Sequence, residues 1–137
     1  MLLALDSNVF IAALTGNEPH SQAAQQLIRN IAADRHRAVA SSMVFGEILG
    51  ISTGKNGPDL DSFFSSIKHL STVPADDGIC LGAAQLRKRH GAKLRLPDAL
   101  HLVTAMFAGA DVFITNDKVL AKTARALLPT KTLADWR

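Results

Sequence analysis

Residues 2–6, LLALD, and 112–117, VFITND, are short uninterrupted apolar runs that each close on an acid. A strand with one wet face alternates polar and apolar residues, whereas a strand covered on both faces does not. Both runs therefore read as buried strands of a parallel sheet, which requires helices on its two sides.

The intervening segments supply those helices. Ser7–Leu14 reads as a short helix closing at Gly16, and His20–Asp34 as a second, with Ala23, Ala24, Leu27, Ile28 and Ile31 at helical spacing and Ser21 as its cap. Ala38–Ser41 is a second strand and Met43–Ile51 a buried helix, followed by the turn signals GKNGPD. Asp59–Leu70 reads as a helix and Ser71–Val73 as a weak strand. Asp76–His90 is a helix capped by Asp76 or Asp77, and Pro97–Ala108 is another, with Pro97 in its first turn. A helix from Asp117 or Lys118 to Leu128 and a short strand at Lys131–Leu133 complete the series. The expected fold class is α/β, with a mainly parallel sheet of four to five short strands. Residues 1–137 are expected to form a single domain, since no repeat or linker divides them.

A lone cysteine, Cys80, excludes an internal disulfide framework and a Cys-rich zinc site; it lies in an apolar stretch and is expected to be buried. The MLLAL start has no basic lead-in, and no 18-residue uncharged span exists, so no membrane segment is expected and the cytoplasm is the natural compartment. Fifteen Lys and Arg against twelve Asp and Glu are compatible with a polyanionic partner. Ten of the twelve acids are Asp, so each invites a positional question.

In open parallel sheets, ligands bind beyond the carboxyl ends of the strands. Asp6 and Asp117 both fall on that edge. Each alone is explained by capping the helix it precedes. Glu47 is different, because its helical neighbours Met43, Val44, Gly50 and Ile51 are apolar, and a carboxylate there needs a partner unless it sits on the rim. Asp98 lies in a first helical turn, where an anion is favoured.

Four carboxylates in one crevice repel, and a cation is the simplest remedy. All-oxygen ligands suit Mg²⁺ or Mn²⁺ over zinc. The five histidines show no paired ligand spacing; His101, one turn after Asp98, is the one placed to approach the site, and a satisfied helix histidine is the favoured reading of it. Glu47→Gln should then leave stability unchanged or raised, by relieving repulsion. Carboxylate-held divalent ions serve in-line phosphodiester hydrolysis. No GxSxG elbow, GxxxxGK[ST] loop or GxGxxG turn offers another chemistry.

The ordered set LDSNVFIAAL, SSMVFGEILG, LPDALHLVTA and Thr115-Asn116-Asp117 resembles the PIN-domain ribonucleases, and in length and motif wording the VapC-type toxins of toxin–antitoxin pairs. The resemblance spans nearly the whole chain. It implies a three-layer α/β/α sandwich and a metal-dependent endoribonuclease in which Asp6, Glu47, Asp98 and Asp117 bind Mg²⁺ or Mn²⁺ and water is the nucleophile. It also implies a polar shell of Asn8 and Thr115, with Ser7 and Asn116 as further members. A homodimer is implied, as is a cognate antitoxin that presents a basic side chain to the acids.

The segment RKRHGAKLR leads into Asp98 and offers Arg87, Lys88, Arg89, Lys93 and Arg95; Lys118, Lys122 and Arg125 form a helical stripe after Asp117. These are the candidate phosphate contacts, alongside the simpler account of a helix C-terminus and a solvated face. With six Phe, one Trp and no Tyr, recognition of a structured RNA's shape is expected over base stacking. Other acidic-pocket folds fit less well. A phosphorylatable receiver domain wants a pair of acids after the first strand, and a haloacid-dehalogenase-like phosphatase wants an acid where Asn8 stands. A housekeeping nuclease without antitoxin and a catalytically silent RNA-binding PIN module remain alternatives.

Overall fold

The computed structural model describes residues 1–49 and 59–136. Five parallel strands, β1 (Leu2–Leu5), β2 (Arg37–Ser41), β3 (Leu70–Val73), β4 (Val112–Thr115) and β5 (Thr130–Thr132), form one sheet in the order β3-β2-β1-β4-β5. β1 is central, paired with β2 through Ala4↔Val39 and with β4 through Ala4↔Phe113.

The two apolar runs are covered on both faces, as their lack of alternation requires. Leu3, Leu5, Val112 and Ile114 pack into one core with α1 (Ser7–Thr15), α2 (Ser21–Ala32), α3 (Met43–Leu49) and α4 (Leu60–Ser65). Ala4 and Phe113 point the other way, into a core with α5 (Asp77–His90), α6 (Leu96–Phe107) and α7 (Lys118–Ala124). Two helical layers enclose the sheet, giving the three-layer α/β/α sandwich. α5 and α6 pass so closely at Gly82 that a Cβ there would lie 3.0 Å from Val103 Cγ1.

Several local expectations are corrected. α2 is capped at His20, which adopts φ 63°; Ser21 is already helical, and its hydroxyl bonds the Glu18 carbonyl at 2.8 Å. α4 ends at Ser65, because Leu70 joins β3 beside Ala38 instead of extending the helix. α7 ends at Ala124, short of Leu128. Cys80 is exposed, on the outer face of α5. The GKNGP turn, Gly50 and Ile51 lie outside the described residues.

The chain runs β1, β2, β3 outward to one side and then returns to lay β4 on the other side of β1. The strand order reverses between β1 and β4, and such reversals open a crevice beyond the carboxyl ends. Asp6 directly follows β1, and Thr115 to Asp117 end and follow β4.

Candidate active site

Asp6 stands at the N-cap position of α1, but its side chain makes no capping bond. It is 2% exposed, and Oδ2 accepts a 2.7 Å hydrogen bond from the Thr115 hydroxyl across the strand junction. That hydroxyl in turn accepts from Asn8 Nδ2 and from the Asp117 backbone N–H, each at 3.1 Å. Its one proton and both lone pairs are used. Asn8 Oδ1 accepts from the Asn116 N–H at 2.8 Å, and Asn116 Nδ2 donates to the Pro19 carbonyl at 2.8 Å. DSN and TND thus lock the β1 and β4 ends together.

Asp117 does what Asp6 does not. Its Oδ1 accepts from the Val119 and Leu120 N–H groups and caps α7.

Glu47 reaches the same edge from α3, which follows β2. Its Oε1 lies 2.6 Å from His101 Nε2, and its Oε2 accepts from the Ser7 hydroxyl at 3.2 Å. His101 is buried on α6, and the same Nε2 lies 3.7 Å from Asp6 Oδ1. One helical turn earlier, Asp98 is half-buried and pairs with exposed Arg95, Nε to Oδ2 3.4 Å.

These neighbours set the acidities. Burial pushes the Asp6 carboxyl up; His101 and the Thr115 hydroxyl pull it back in part, and the charges of Asp98 and Glu47 add to the rise. Burial also dominates at Asp98, which stays raised despite Arg95, with Asp117 contributing to the rise. Glu47 goes the other way: burial alone would raise it, but the hydrogen bond and charge of His101, together with Ser7 and Arg95, hold it below the usual range. His101 is raised in return, burial being outweighed by Glu47, Asp6 and Asp98.

A cavity of about 170 Å³ opens between α6 and α7, lined by Lys93, Arg95, Asp98, Asp117, Leu120 and Thr123 among others. Two of the basic residues, Lys93 and Arg95, therefore border two of the acids. Arg87 instead donates its Nε to the Leu94 carbonyl at 2.9 Å and pins the loop before α6. Lys88, Arg89 and Lys122 are exposed, and Arg89 lines a separate depression with Gly82 and Val103. Lys118 and Arg125 line another, with Thr132 and Asp135.

A family model of the PIN domain matches residues 3–126. The chain belongs to the PIN-domain family. PIN domains are nucleases, which makes hydrolysis of nucleic acid the chemistry of this fold. Comparison with curated protein sequences gives no match. Among solved structures, VapBC2 of Rickettsia felis bound to a promoter DNA fragment is similar with a TM-score of 0.69 and 20% identity, over 100% of both chains. A toxin–antitoxin complex of Klebsiella pneumoniae gives 0.67 and 20%, over 97% of this chain and 98% of the other. FitAcB of Neisseria gonorrhoeae gives 0.66 and 19%, over 99% and 100%. At these identities the likeness is one of fold.

The donor set of this PIN domain suits a hard divalent cation: it is all oxygen, and the ionisation of Asp6 and Asp98 is disfavoured by burial, with a smaller contribution from neighbouring acids. Among the described residues, no three His, Cys, Asp or Glu side chains converge tightly enough to hold an ion. Glu47 is turned to His101 and Asp98 to Arg95, so the protein's own cations partner the acids.

The sequence singles out His101, three residues after Asp98 on one helix, as the one histidine able to approach the PIN site, but favours a satisfied helix histidine over a part in it. That spacing puts both on one face, and it was the available signal. The Thr115 hydroxyl offers a direct probe of the β1–β4 junction. Thr115→Val should destabilise the domain by about 1–3 kcal/mol in urea unfolding, since it strips a donor from buried Asp6 and an acceptor from the Asp117 N–H. An unchanged unfolding midpoint would mean that water replaces the hydroxyl.

Proposed function

We propose that this PIN domain, taken as one unit over residues 1–137, is a metal-dependent endoribonuclease. We read it as the toxin of a toxin–antitoxin pair acting in the cytoplasm. The observation that carries the site is that Asp6, Glu47, Asp98 and Asp117 all fall at the sheet edge of the β1–β4 switch point, where burial first, and nearby acids second, raise the Asp6 and Asp98 carboxyls against the pull of His101 and Arg95. A carboxylate cluster of that kind favours a divalent ion, Mg²⁺ or Mn²⁺, held by the four acids.

Bound there, the ion supplies an activated water and charge neutralisation for in-line attack on phosphorus. The chain's residues do the rest. Thr115 and Asn8 fix the orientation of Asp6, Ser7 fixes one oxygen of Glu47, and Asp117 is anchored by the α7 amides it caps. Lys93 and Arg95 are situated to take substrate phosphates beside Asp98 and Asp117. Hydrolysis cleaves one P–O bond, adds the water oxygen to phosphorus and returns a proton to the leaving ribose oxygen.

Among the described residues no helix is long and apolar enough to cross a membrane, which accords with a cytoplasmic nuclease. The toxin assignment is supported by similar folds that occur in toxin–antitoxin complexes. An antitoxin side chain of positive charge would compete with Arg95 for Asp98. Exposed Leu81, Met106 and Phe107 on α5 and α6 support a homodimer.

The deciding experiment is cleavage of a structured RNA by the purified protein, with end mapping, in Mg²⁺, in Mn²⁺ and with a chelator. Cleavage that stops with the chelator and resumes with added ion is expected. Cleavage insensitive to chelation would overturn the metal site. Induced expression should arrest growth, and co-expression of the neighbouring small protein should relieve it; an active enzyme with no effect on growth favours a housekeeping nuclease.

A further inference from the structure

The geometry points to His101 as a positioning residue that holds the Glu47 carboxylate against Asp6, ready for a divalent cation. This rests on the four-acid site proposed above and adds to it a group that is not itself a ligand.

Glu47 needs such a holder. It projects from a seven-residue helix with its side chain 28% exposed, and a long carboxylate side chain left unpartnered samples many rotamers. His101 Nε2 removes that freedom at one oxygen, 2.6 Å from Oε1, while Ser7 takes the other. The imidazole can impose the position because it is itself immobile: its side chain is 1% exposed within the α6 core face. Its other nitrogen, Nδ1, is buried and has no hydrogen-bond partner among the described residues, where the polar contacts of the ring run to the acids.

The same Nε2 lies 3.7 Å from Asp6 Oδ1, and His101 shares α6 with Asp98 one turn away. One rigid ring therefore bridges the acids that follow β1 and ride α3, from the helix that Asp98 opens. Nε2 carries a proton in both the imidazolium and the corresponding neutral tautomer, so the contact does not depend on titration. Groups that orient metal ligands typically change affinity or activity about 10–100-fold when lost.

The test uses the full chain, stripped of metal. Mn²⁺ is titrated calorimetrically into wild type, His101→Leu and His101→Gln, the last keeping an N–H donor near Nε2. His101→Leu should weaken Mn²⁺ binding about 10–100-fold. It should also lower kcat for RNA with KM unchanged, and His101→Gln should recover most of both. Unchanged or tighter Mn²⁺ binding by His101→Leu overturns the positioning role while leaving the four-acid site standing. Wild type that binds no Mn²⁺ overturns the site itself and the positioning role with it.

If His101→Leu fails to fold, wild type decides by NMR with ¹⁵N-labelled histidine. A His101 Nε2–H signal protected from exchange, displaced by Glu47→Gln and shifted by Mg²⁺, is expected. A signal that exchanges freely and ignores Mg²⁺ overturns the proposal.

Discussion

Asp6→Asn is expected to abolish divalent-dependent RNA hydrolysis, by on the order of 10³-fold, and to make the metal-free protein more stable at neutral pH. The first effect follows from the proposed site, in which Asp6 is one of four charged metal ligands. The second follows from burial. Asp6 is almost inaccessible, and its carboxyl titrates above the ordinary value because burial, Asp98 and Glu47 outweigh His101 and Thr115. A carboxyl raised on folding contributes stability that is complete below its unfolded pKa of about 4 and is lost as pH climbs through the folded value.

Asparagine has no such loss, and its carbonyl can still accept from Thr115. Thermal melts in chelator should coincide near pH 3.5 and separate as pH rises, the variant gaining roughly 2–5 °C for each kcal/mol relieved. Equal or lower melting of the variant at pH 7 would show that buried Asp6 carries no electrostatic penalty.

Glu47→Gln is expected to lose activity on the same scale but to lose stability as well. Apolar helical neighbours and nearby acids predict relief of repulsion at Glu47, and hence no cost. The structure reverses that sign, because Glu47 is the ion-pair partner of buried His101 at 2.6 Å and titrates below its usual range. Loss of a charge-assisted hydrogen bond of this kind costs about 1.5–3 kcal/mol.

The pH window follows from both partners. Lowered Glu47 contributes stability above about pH 4.3 that disappears as pH falls through its folded value. Raised His101 contributes below about pH 6.5 and fades as pH rises through its folded value. The melting difference between wild type and Glu47→Gln should therefore peak near pH 5–6 and shrink on either side. A flat difference across that range would mean that the contact is a neutral hydrogen bond.

The contrast between these two acids marks where the sequence is readable. LLALD and VFITND are legible as central strands because coverage on both faces removes the alternation that an exposed face would impose. From them, the location of Asp6 and Asp117 at one sheet edge follows by topology. The partners of Glu47 do not follow, since His101 is 54 residues away and Ser7 is 40. No local pattern encodes which distant donor meets a carboxylate, and repulsion among acids looked dominant only while the cation beside them was unknown.

Capping misled at Ser21 for a related reason. Its hydroxyl serves the Glu18 carbonyl at the turn, and His20 supplies the helix entry with a left-handed backbone. Cys80 misled because an apolar neighbourhood in sequence is split by the helix of α5 into an inner face with Ile79 and Ala83 and an outer face with Cys80 and Leu81.

The bond between Thr115 and Asp6 joins residues 109 positions apart. A ribosome must therefore translate through β4 before the acid at position 6 acquires its orienting hydroxyl and the crevice gains its second wall. Fragments that stop short of β4 lack the Thr115 hydroxyl and with it the partner of Asp6 Oδ2. The crevice at the β1–β4 junction is therefore a property of the assembled sheet and of no single local segment.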